Sequence, residues 1–291
     1  MTGQTLSEIR RLLAAAGSSP RRRYGQHFLI DLNLMRKLVA AAELTPADTV
    51  LEVGCGTGSL TEVLLETGVT VVGVEIDARL QAILRQRLAE HPRLSLIQGD
   101  VLAGKHQVNP LVLKVLAENA PRPTGGYKLV ANLPYQVATP LIIELLHCPL
   151  RFERLVCTVQ REVGERLAAD SDTPAYGPAS VVAQTLATTR PIAILPPAVF
   201  WPPPQVESLM VDIRPRGSPA VPQSEVPAFS RFLHEAFAKR RKMLRRVFVA
   251  WPPEDALCAF GRAGVSPESR PAELSPAQWQ ALFQAWRAMR R

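Results

Sequence analysis

A chain of 291 residues, 47% of them hydrophobic, is long enough to bury one sizeable core plus a smaller appendage, so one or two domains are expected. No run of about 18 apolar residues could span a bilayer, and Met1 to Pro20 lacks the uninterrupted apolar stretch of a signal peptide, so a cytoplasmic location is expected. The net charge of +8 is concentrated at the ends: Met1 to Leu29 carries five Arg against one Glu, Gly217 to Arg291 carries twelve Lys or Arg against six acids, and the middle is left at −2.

Basic ends around a nearly neutral centre suit an enzyme held against a polyanion by its termini, although a charge run by itself serves solubility equally well. Cys55, Cys148, Cys157 and Cys258 are scattered without paired spacing and read as buried thiols rather than as a zinc site or a disulfide framework. The five histidines are equally dispersed. No metal is expected.

Along the chain, short β-branched runs alternate with helical stretches for roughly the first 215 residues, the pattern of a parallel sheet built from βαβ units. The expected strands are Thr49 to Val53, Thr70 to Glu75, Leu94 to Gln98, Tyr127 to Ala131, Arg154 to Gln160, Pro191 to Leu195 and Glu207 to Arg214. Between them, Leu60 to Glu66, Ala78 to Ala89, Ala138 to Leu146 and Glu162 to Ala168 carry apolar residues three or four apart and predict helices. Residues 103–126 break the rhythm, and a short helix with loops is expected there. Pro215 to Pro227 is rich in turn formers and reads as a linker. Beyond it the pattern is helical, with Phe232, Leu233, Ala236, Phe237, Met243, Leu244, Val247 and Phe248 at helix spacing and Lys239, Arg241, Lys242, Arg245 and Arg246 largely on other faces.

Three features converge on a nucleotide pocket. After the first strand, Glu52 to Thr61 includes Gly54, Gly56 and Gly58, which let the backbone turn tightly and approach a ligand before a helix begins. A dinucleotide fingerprint would place glycine where Ser59 stands, which disfavours a nicotinamide or flavin oxidoreductase. Glu75, about 20 residues on at the end of the second strand, can accept from both hydroxyls of a ribose. Asp100, at the end of the third, can accept from an adenine amino group. Ligands bind at the carboxyl ends of strands in open α/β sheets, where all three lie.

The fourth strand ends in Asn132-Leu133-Pro134-Tyr135. Asn132 can accept from an amine through its side-chain oxygen, Pro134 sets the turn so that the Leu133 carbonyl can point the same way, and Tyr135 offers a face for base stacking.

With these motifs the chain resembles the KsgA/RsmA ribosomal RNA adenine dimethyltransferases over essentially its whole length. The resemblance rests on Tyr24 to Leu29, Glu52 to Thr61, Val74 to Asp77, Gly99-Asp100, Asn132 to Tyr135 with Thr139-Pro140, Val159 to Val163, Tyr176-Gly177, Phe200 to Ser208, Arg240 to Arg246 and Arg270 to Ser275. It implies a Rossmann-like class I methyltransferase fold with a seven-stranded, mostly parallel sheet and a small all-α C-terminal domain. The expected organisation is a basic arm with a cofactor segment at 1–29, the catalytic domain at 30–214, a linker at 215–227 and an RNA-binding helical domain at 228–291.

It further implies that S-adenosylmethionine is held by His27, Leu29, Gly54, Gly56, Glu75, Ile76, Asp100 and Asn132. The target adenine would stack between Tyr135 and Phe200 while Asn132 and Leu133 take its amine. The implied reaction is dimethylation of N6 on two adjacent adenines in a hairpin near the 3′ end of small-subunit rRNA, on an immature small ribosomal subunit. Arg21, Arg22 and Arg23 of the arm, with Lys239, Arg241, Lys242, Arg245 and Arg246, would grip its phosphates, and the protein is expected to be a monomer. Two residues depart from the family pattern: His27 stands where Asn is usual, and Gln136 replaces an Asn after the motif. The alternatives are a resistance-type methyltransferase of large-subunit rRNA and a nonenzymatic assembly factor on the same fold.

Overall fold

The computed structural model of the chain describes residues 3–88, 90–104 and 107–289. In chain order the elements begin with α1 (Leu6–Ala15), β1 (Phe28–Leu29), α2 (Leu32–Ala41), β2 (Thr49–Val53), α3 (Ser59–Glu66), β3 (Thr70–Glu75), α4 (Ala78–Leu88) and β4 (Leu94–Gln98). There follow α5 (Pro110–Glu118), β5 (Tyr127–Asn132), α6 (Ala138–His147), β6 (Phe152–Gln160), α7 (Arg161–Ala168), α8 (Pro178–Leu186) and β7 (Ala187–Leu195). The chain continues through β8 (Phe200–Trp201), β9 (Ser208–Pro215), α9 (Val226–Phe237), α10 (Leu244–Val247), α11 (Pro253–Ala263) and α12 (Pro276–Met289).

All seven expected strands form, in one sheet of order β4-β3-β2-β5-β6-β9-β7. β4, β3, β2, β5 and β6 run parallel, and β9 is antiparallel to β6. The fold is therefore Rossmann-like. β2 and β3 are buried almost throughout, which is why they read as continuous apolar runs rather than as alternation: both faces of a parallel sheet are covered. Val50, Val71, Val130, Val156 and Met210 pack with Met35, Leu38 and Leu64 of α2 and α3 into one core cluster.

The chain divides into two compact units, Met1–Gly164 with Arg190–Pro215, and Glu165–Thr189 with Arg216–Arg291. This grouping cuts across the expected boundaries, because residues 165–189 join the C-terminal helices. Within the second unit, the Tyr176 hydroxyl donates to the Leu274 carbonyl at 2.8 Å, and Arg240 donates to the carbonyls of Thr173, at 2.8 Å, and Tyr176. An aromatic core of Phe229, Phe232, Trp279 and Phe283 fills that unit. The expected linker is shorter than its composition implied. α9 begins at Val226 with Pro227 in its first turn, where a missing N–H costs nothing.

Several elements escaped the apolar pattern, α1, α2, α8 and α11 among them. The start of α1 is written in the sequence all the same, since Thr5 and Glu8 form a reciprocal capping box, the signature that Thr-x-x-Glu announces. The apolar run from Phe232 to Phe248 does not form one helix, because Met243 is extended and caps α10 instead of continuing α9. Cys55, Cys148 and Cys157 are buried, but Cys258 is exposed, on a helix whose buried residues are Ala259, Phe260 and Ala263. Ala89, Lys105 and His106 lie outside the described residues.

At the amino end of β6, buried charge in the first unit is paired. Arg154 donates to both carboxylate oxygens of Asp212, at 2.9 and 2.8 Å, and reaches Glu43 at 2.7 Å. Burial alone would raise the Asp212 carboxyl, but its bonds to Arg154 and Arg214 outweigh this and hold it below its ordinary 3.8. Such a group stabilises the fold fully above its ordinary value and loses that contribution as pH falls through the depressed value. Asp212→Ala is expected to lower unfolding free energy by about 3 kcal/mol, since it removes the buried partner of Arg154 and leaves it only the exposed Glu43. Urea unfolding should show the gap closing as the pH is taken below 3.8; a gap unchanged by acid would contradict this account.

Candidate functional site

β2 is flanked by β3 on one side and β5 on the other, so the helices that follow leave in opposite directions and open a crevice at the carboxyl end of the sheet. A cavity of the first unit lies there. Its lining takes Gly54 to Thr57 from the glycine loop, Glu75 and Ile76 from β3, Gly99 to Val101 after β4, and Asn132 to Val137 after β5. Residues 24–29 and Ile9 add a wall from the N-terminal segment.

The glycine loop turns here because Gly54 and Gly56 adopt φ of 77° and 61°, a region open to glycine at little cost. A side chain would also meet neighbours. A Cβ on Gly54 would sit 3.1 Å from the Pro134 ring, and one on Gly56 would sit 2.9 Å from Phe28. The glycines therefore bring the loop against the Asn132–Tyr135 turn and the N-terminal wall. Gln4 reinforces it from α1's side, donating to the Thr57 carbonyl at 3.0 Å and accepting from the Thr57 hydroxyl at 2.7 Å.

Every residue expected at the cofactor lines this cavity: His27, Leu29, Gly54, Gly56, Glu75, Ile76, Asp100 and Asn132. Glu75 is 4% exposed and accepts from the Gly56 amide at 2.8 Å and the Asp77 amide at 2.9 Å, which fixes its carboxylate. Ile76 presents an exposed apolar side chain, and Asp100 accepts from the Leu102 amide at 3.0 Å. Acids with an open apolar surface fit a cation that carries a ribose and a purine, which is the chemistry of S-adenosylmethionine.

In the Asn132–Tyr135 turn, Asn132 donates through Nδ2 to the His27 carbonyl at 2.8 Å, and its Oδ1 accepts from the Thr158 hydroxyl. Leu133, Pro134 and Tyr135 all line the cavity. Phe200 does not. It is 2% exposed and packed in the core with Leu29 and Met35, because its pairing opposite Leu29 in the β1–β8 ribbon sets it there. The ring beside Tyr135 is His27, with centroids 5.5 Å apart at 29°. His27 Nδ1 lies 2.6 Å from the Pro202 carbonyl; a carbonyl only accepts, so this nitrogen carries the proton. The side chain where the family pattern has Asn is thus a structural tie as well as a wall. No signal in the sequence alone reveals this.

The basic residues are used unequally. Arg21 lies 3.7 Å from Asp77, and its amide donates to Gln26 at 2.8 Å. Arg23 is exposed and sits over the Tyr24 ring, while the side chain of Arg22 lies outside the described residues. In the second unit Lys239, Arg241, Lys242, Arg245 and Arg246 are all exposed. Among the described residues no group of three or more His, Cys, Asp or Glu gathers as a metal would require, and no helix is long and apolar enough to cross a membrane.

Glu52 lies beneath the glycine loop, 1% exposed, accepting from the Thr61 hydroxyl at 2.6 Å. Burial pushes its carboxyl up to about 7; the Thr61 and Cys55 bonds lower it in part, and Glu75 raises it further. A carboxyl raised in this way favours the folded state when protonated, a contribution complete below its ordinary 4.5 and lost as pH climbs through about 7. Glu52→Gln keeps an acceptor for Thr61 and removes the titration. Its stability relative to wild type is expected to improve between about pH 5 and about pH 8, by a few kcal/mol at most. Thermal melts across that range would refute the assignment if the two proteins ran parallel.

The family model for the ribosomal RNA adenine dimethylase matches residues 17–287. The Ribosomal RNA small subunit methyltransferase A of Phenylobacterium zucineum is 38% identical over 290 residues, covering 100% of this chain and 96% of that protein. Its namesake in Rhodospirillum rubrum is 39% identical over 285 residues, 97% and 93% of the two chains. Among solved structures, a dimethyladenosine transferase from Plasmodium falciparum superposes with a TM-score of 0.71 at 23% identity, over 90% of this chain and 98% of that one. The 23S rRNA methyltransferase ErmE does so with a TM-score of 0.64 at 23% identity, over 89% and 98%. At that identity the two structures speak for the fold. With the family model spanning nearly the whole chain and relatives of such similarity along its full length, the chain belongs to the ribosomal RNA adenine dimethylase family.

Proposed function

We propose that this protein is an S-adenosylmethionine-dependent methyltransferase that dimethylates the N6 amine of two adjacent adenines near the 3′ end of small-subunit rRNA, on the immature small ribosomal subunit. The observation that carries the reading is that the acid-lined crevice and the Asn132–Tyr135 turn share one cavity, so a bound cofactor and an inserted base would meet there. The relatives named for the small subunit favour that target over the large subunit.

When bound, S-adenosylmethionine supplies a methyl group activated by its sulfonium. The protein's own contribution is orientation and a polar environment for the charge that develops on the adenine nitrogen. Glu75, with Ile76 and Asp100, would hold the nucleoside end of the cofactor. Asn132 Oδ1 and the Leu133 carbonyl would accept from the amine, drawing its lone pair out of conjugation with the ring. Tyr135 would offer its face to the base, offsetting part of the cost of extracting it from its stack, by roughly 1–3 kcal/mol. Phe200 would support this wall from the core. No side chain needs to act as a strong base, since an amine that has just been alkylated sheds its proton readily to water.

Radiolabelled methyl transfer to undermethylated small subunits, with the product mapped by nuclease digestion and mass spectrometry, tests the reading. Wild type should yield dimethyladenine near the 3′ end. Asn132→Ala should lose about a hundredfold or more, and Tyr135→Ala roughly tenfold to a hundredfold. Label confined to large-subunit rRNA, or an Asn132→Ala variant as fast as wild type, would sink it.

RNA phosphates would be gripped by Arg23 in the N-terminal segment and by Lys239, Arg241, Lys242, Arg245 and Arg246 in the helical unit. Replacing the five of the helical unit with Gln should shrink the slope of log affinity against log salt by roughly 0.7–0.9 for each phosphate no longer neutralised. An unchanged slope in a filter-binding titration would remove these residues from the interface.

A further inference from the structure

The two working side chains of the Asn132–Tyr135 turn are each tied to a buried hydroxyl on the antiparallel β6–β9 pair. Thr158, fully buried, pairs in register with Asn132 across the parallel β5–β6 ladder, so both side chains leave the same face of the sheet. Its hydroxyl donates to Asn132 Oδ1, and its carbonyl accepts from the Leu133 amide at 3.2 Å. Ser208, also fully buried, stands opposite Gln160 in the β6–β9 ladder, and its Oγ lies 2.8 Å from the Tyr135 hydroxyl.

Hydrogen-bond chemistry determines what these contacts do. The His27 carbonyl can only accept, so it holds the Nδ2 end of the Asn132 amide and leaves Oδ1 on the other side. A Thr158 hydroxyl that donates to Oδ1 takes one of two lone pairs, locks the amide against rotation and leaves the second lone pair for an incoming amine. Ser208 likewise anchors the far end of the Tyr135 ring, which sets the plane on which a base would stack.

We infer that Thr158 and Ser208 are positioning residues for methyl transfer, Thr158 by fixing the acceptor edge of Asn132 and Ser208 by fixing the ring of Tyr135. The inference rests on the methyltransferase reading above. It carries a consequence for the second methyl group. An unmethylated amine has two N–H groups for the two acceptors, but a monomethylated amine has only one, so the second transfer depends more on an acceptor already in place. Loss of the Thr158 hydroxyl should therefore make monomethyladenine accumulate.

The test uses the full chain on undermethylated small subunits, with kcat and KM measured separately, mono- and dimethyladenine quantified, and melting temperature recorded. Thr158→Val is expected to lower kcat roughly tenfold, leave KM for the subunit within about twofold, and raise the proportion of monomethyl product. Thr158→Ser, which restores the hydroxyl, should recover most of the rate.

Ser208→Ala and Tyr135→Phe should each lower the rate severalfold, and their double variant should be no slower than the worse single one, since both break the same hydrogen bond. Should Thr158→Val fail to fold, the Thr158→Ser rate and the Ser208–Tyr135 cycle decide. A Thr158→Ser variant as slow as Thr158→Val, or additive losses at Ser208 and Tyr135, overturns the inference. Wild-type kinetics and product ratio in both Thr158→Val and Ser208→Ala would overturn it too, while leaving the methyltransferase reading standing. Absence of transfer by wild type itself would overturn both.

Discussion

The site depends on the parallel pairing of β5 with β2, Thr49 against Tyr127 through Leu51 against Leu129. These strands are separated in sequence by two helix–strand units, α3–β3 and α4–β4, and by α5, yet adjacency sets Asn132 beside the glycine loop that follows β2. Because β3 and β4 lie on one side of β2 while β6 and β9 extend the other, the crossings diverge above this seam. The crevice is what the divergence leaves open. Gly54 is the point of closest approach, with the Pro134 ring where a side chain would have to go.

Around that seam the electrostatics pull in one direction. Desolvation raises both Glu52 and Glu75; the Glu75 charge raises Glu52 further, and the Asp77 charge does the same to Glu75. Three backbone or hydroxyl donors, from Gly56, Asp77 and Thr61, partly offset the cost. Carboxyl groups held in place by these donors at the carboxyl ends of the strands are suited to accept from the hydroxyls of a nucleoside. The opposite strategy holds at the other end of the first unit, where Arg154 and Asp212 neutralise one another as a bidentate pair.

That contrast also changes how the net charge of +8 should be read. Part of the positive charge is structural: Arg154 and Lys128 are buried against Asp212 and Asp48, Arg240 caps the carbonyls of Thr173 and Tyr176, and Arg21 faces Asp77. These pairs leave the net charge unchanged, but the Lys and Arg side chains open to a polyanion are fewer than the 34 in the sequence. Within the second unit the open charge is concentrated on Arg241, Lys242 and their exposed neighbours.

The sequence by itself determined the sheet, the glycine loop, the ends of β3 and β4 and the Asn132–Tyr135 turn. Each of these is written locally, in runs of β-branched residues, in glycines at a turn, and in side chains placed at strand ends. α1 was legible in its Thr5–Glu8 capping box, although its sparse apolar pattern concealed it. Other features were decided only by tertiary structure. Phe200 stands in a recognisable motif, but whether its ring faces the cavity or the core depends on its pairing with Leu29, a contact between residues 171 positions apart. The roles of His27, Thr158 and Ser208, and the membership of residues 165–189 in the helical unit, likewise follow from register and packing. Local propensity states which element a residue joins; strand register and long-range contacts determine what its side chain touches.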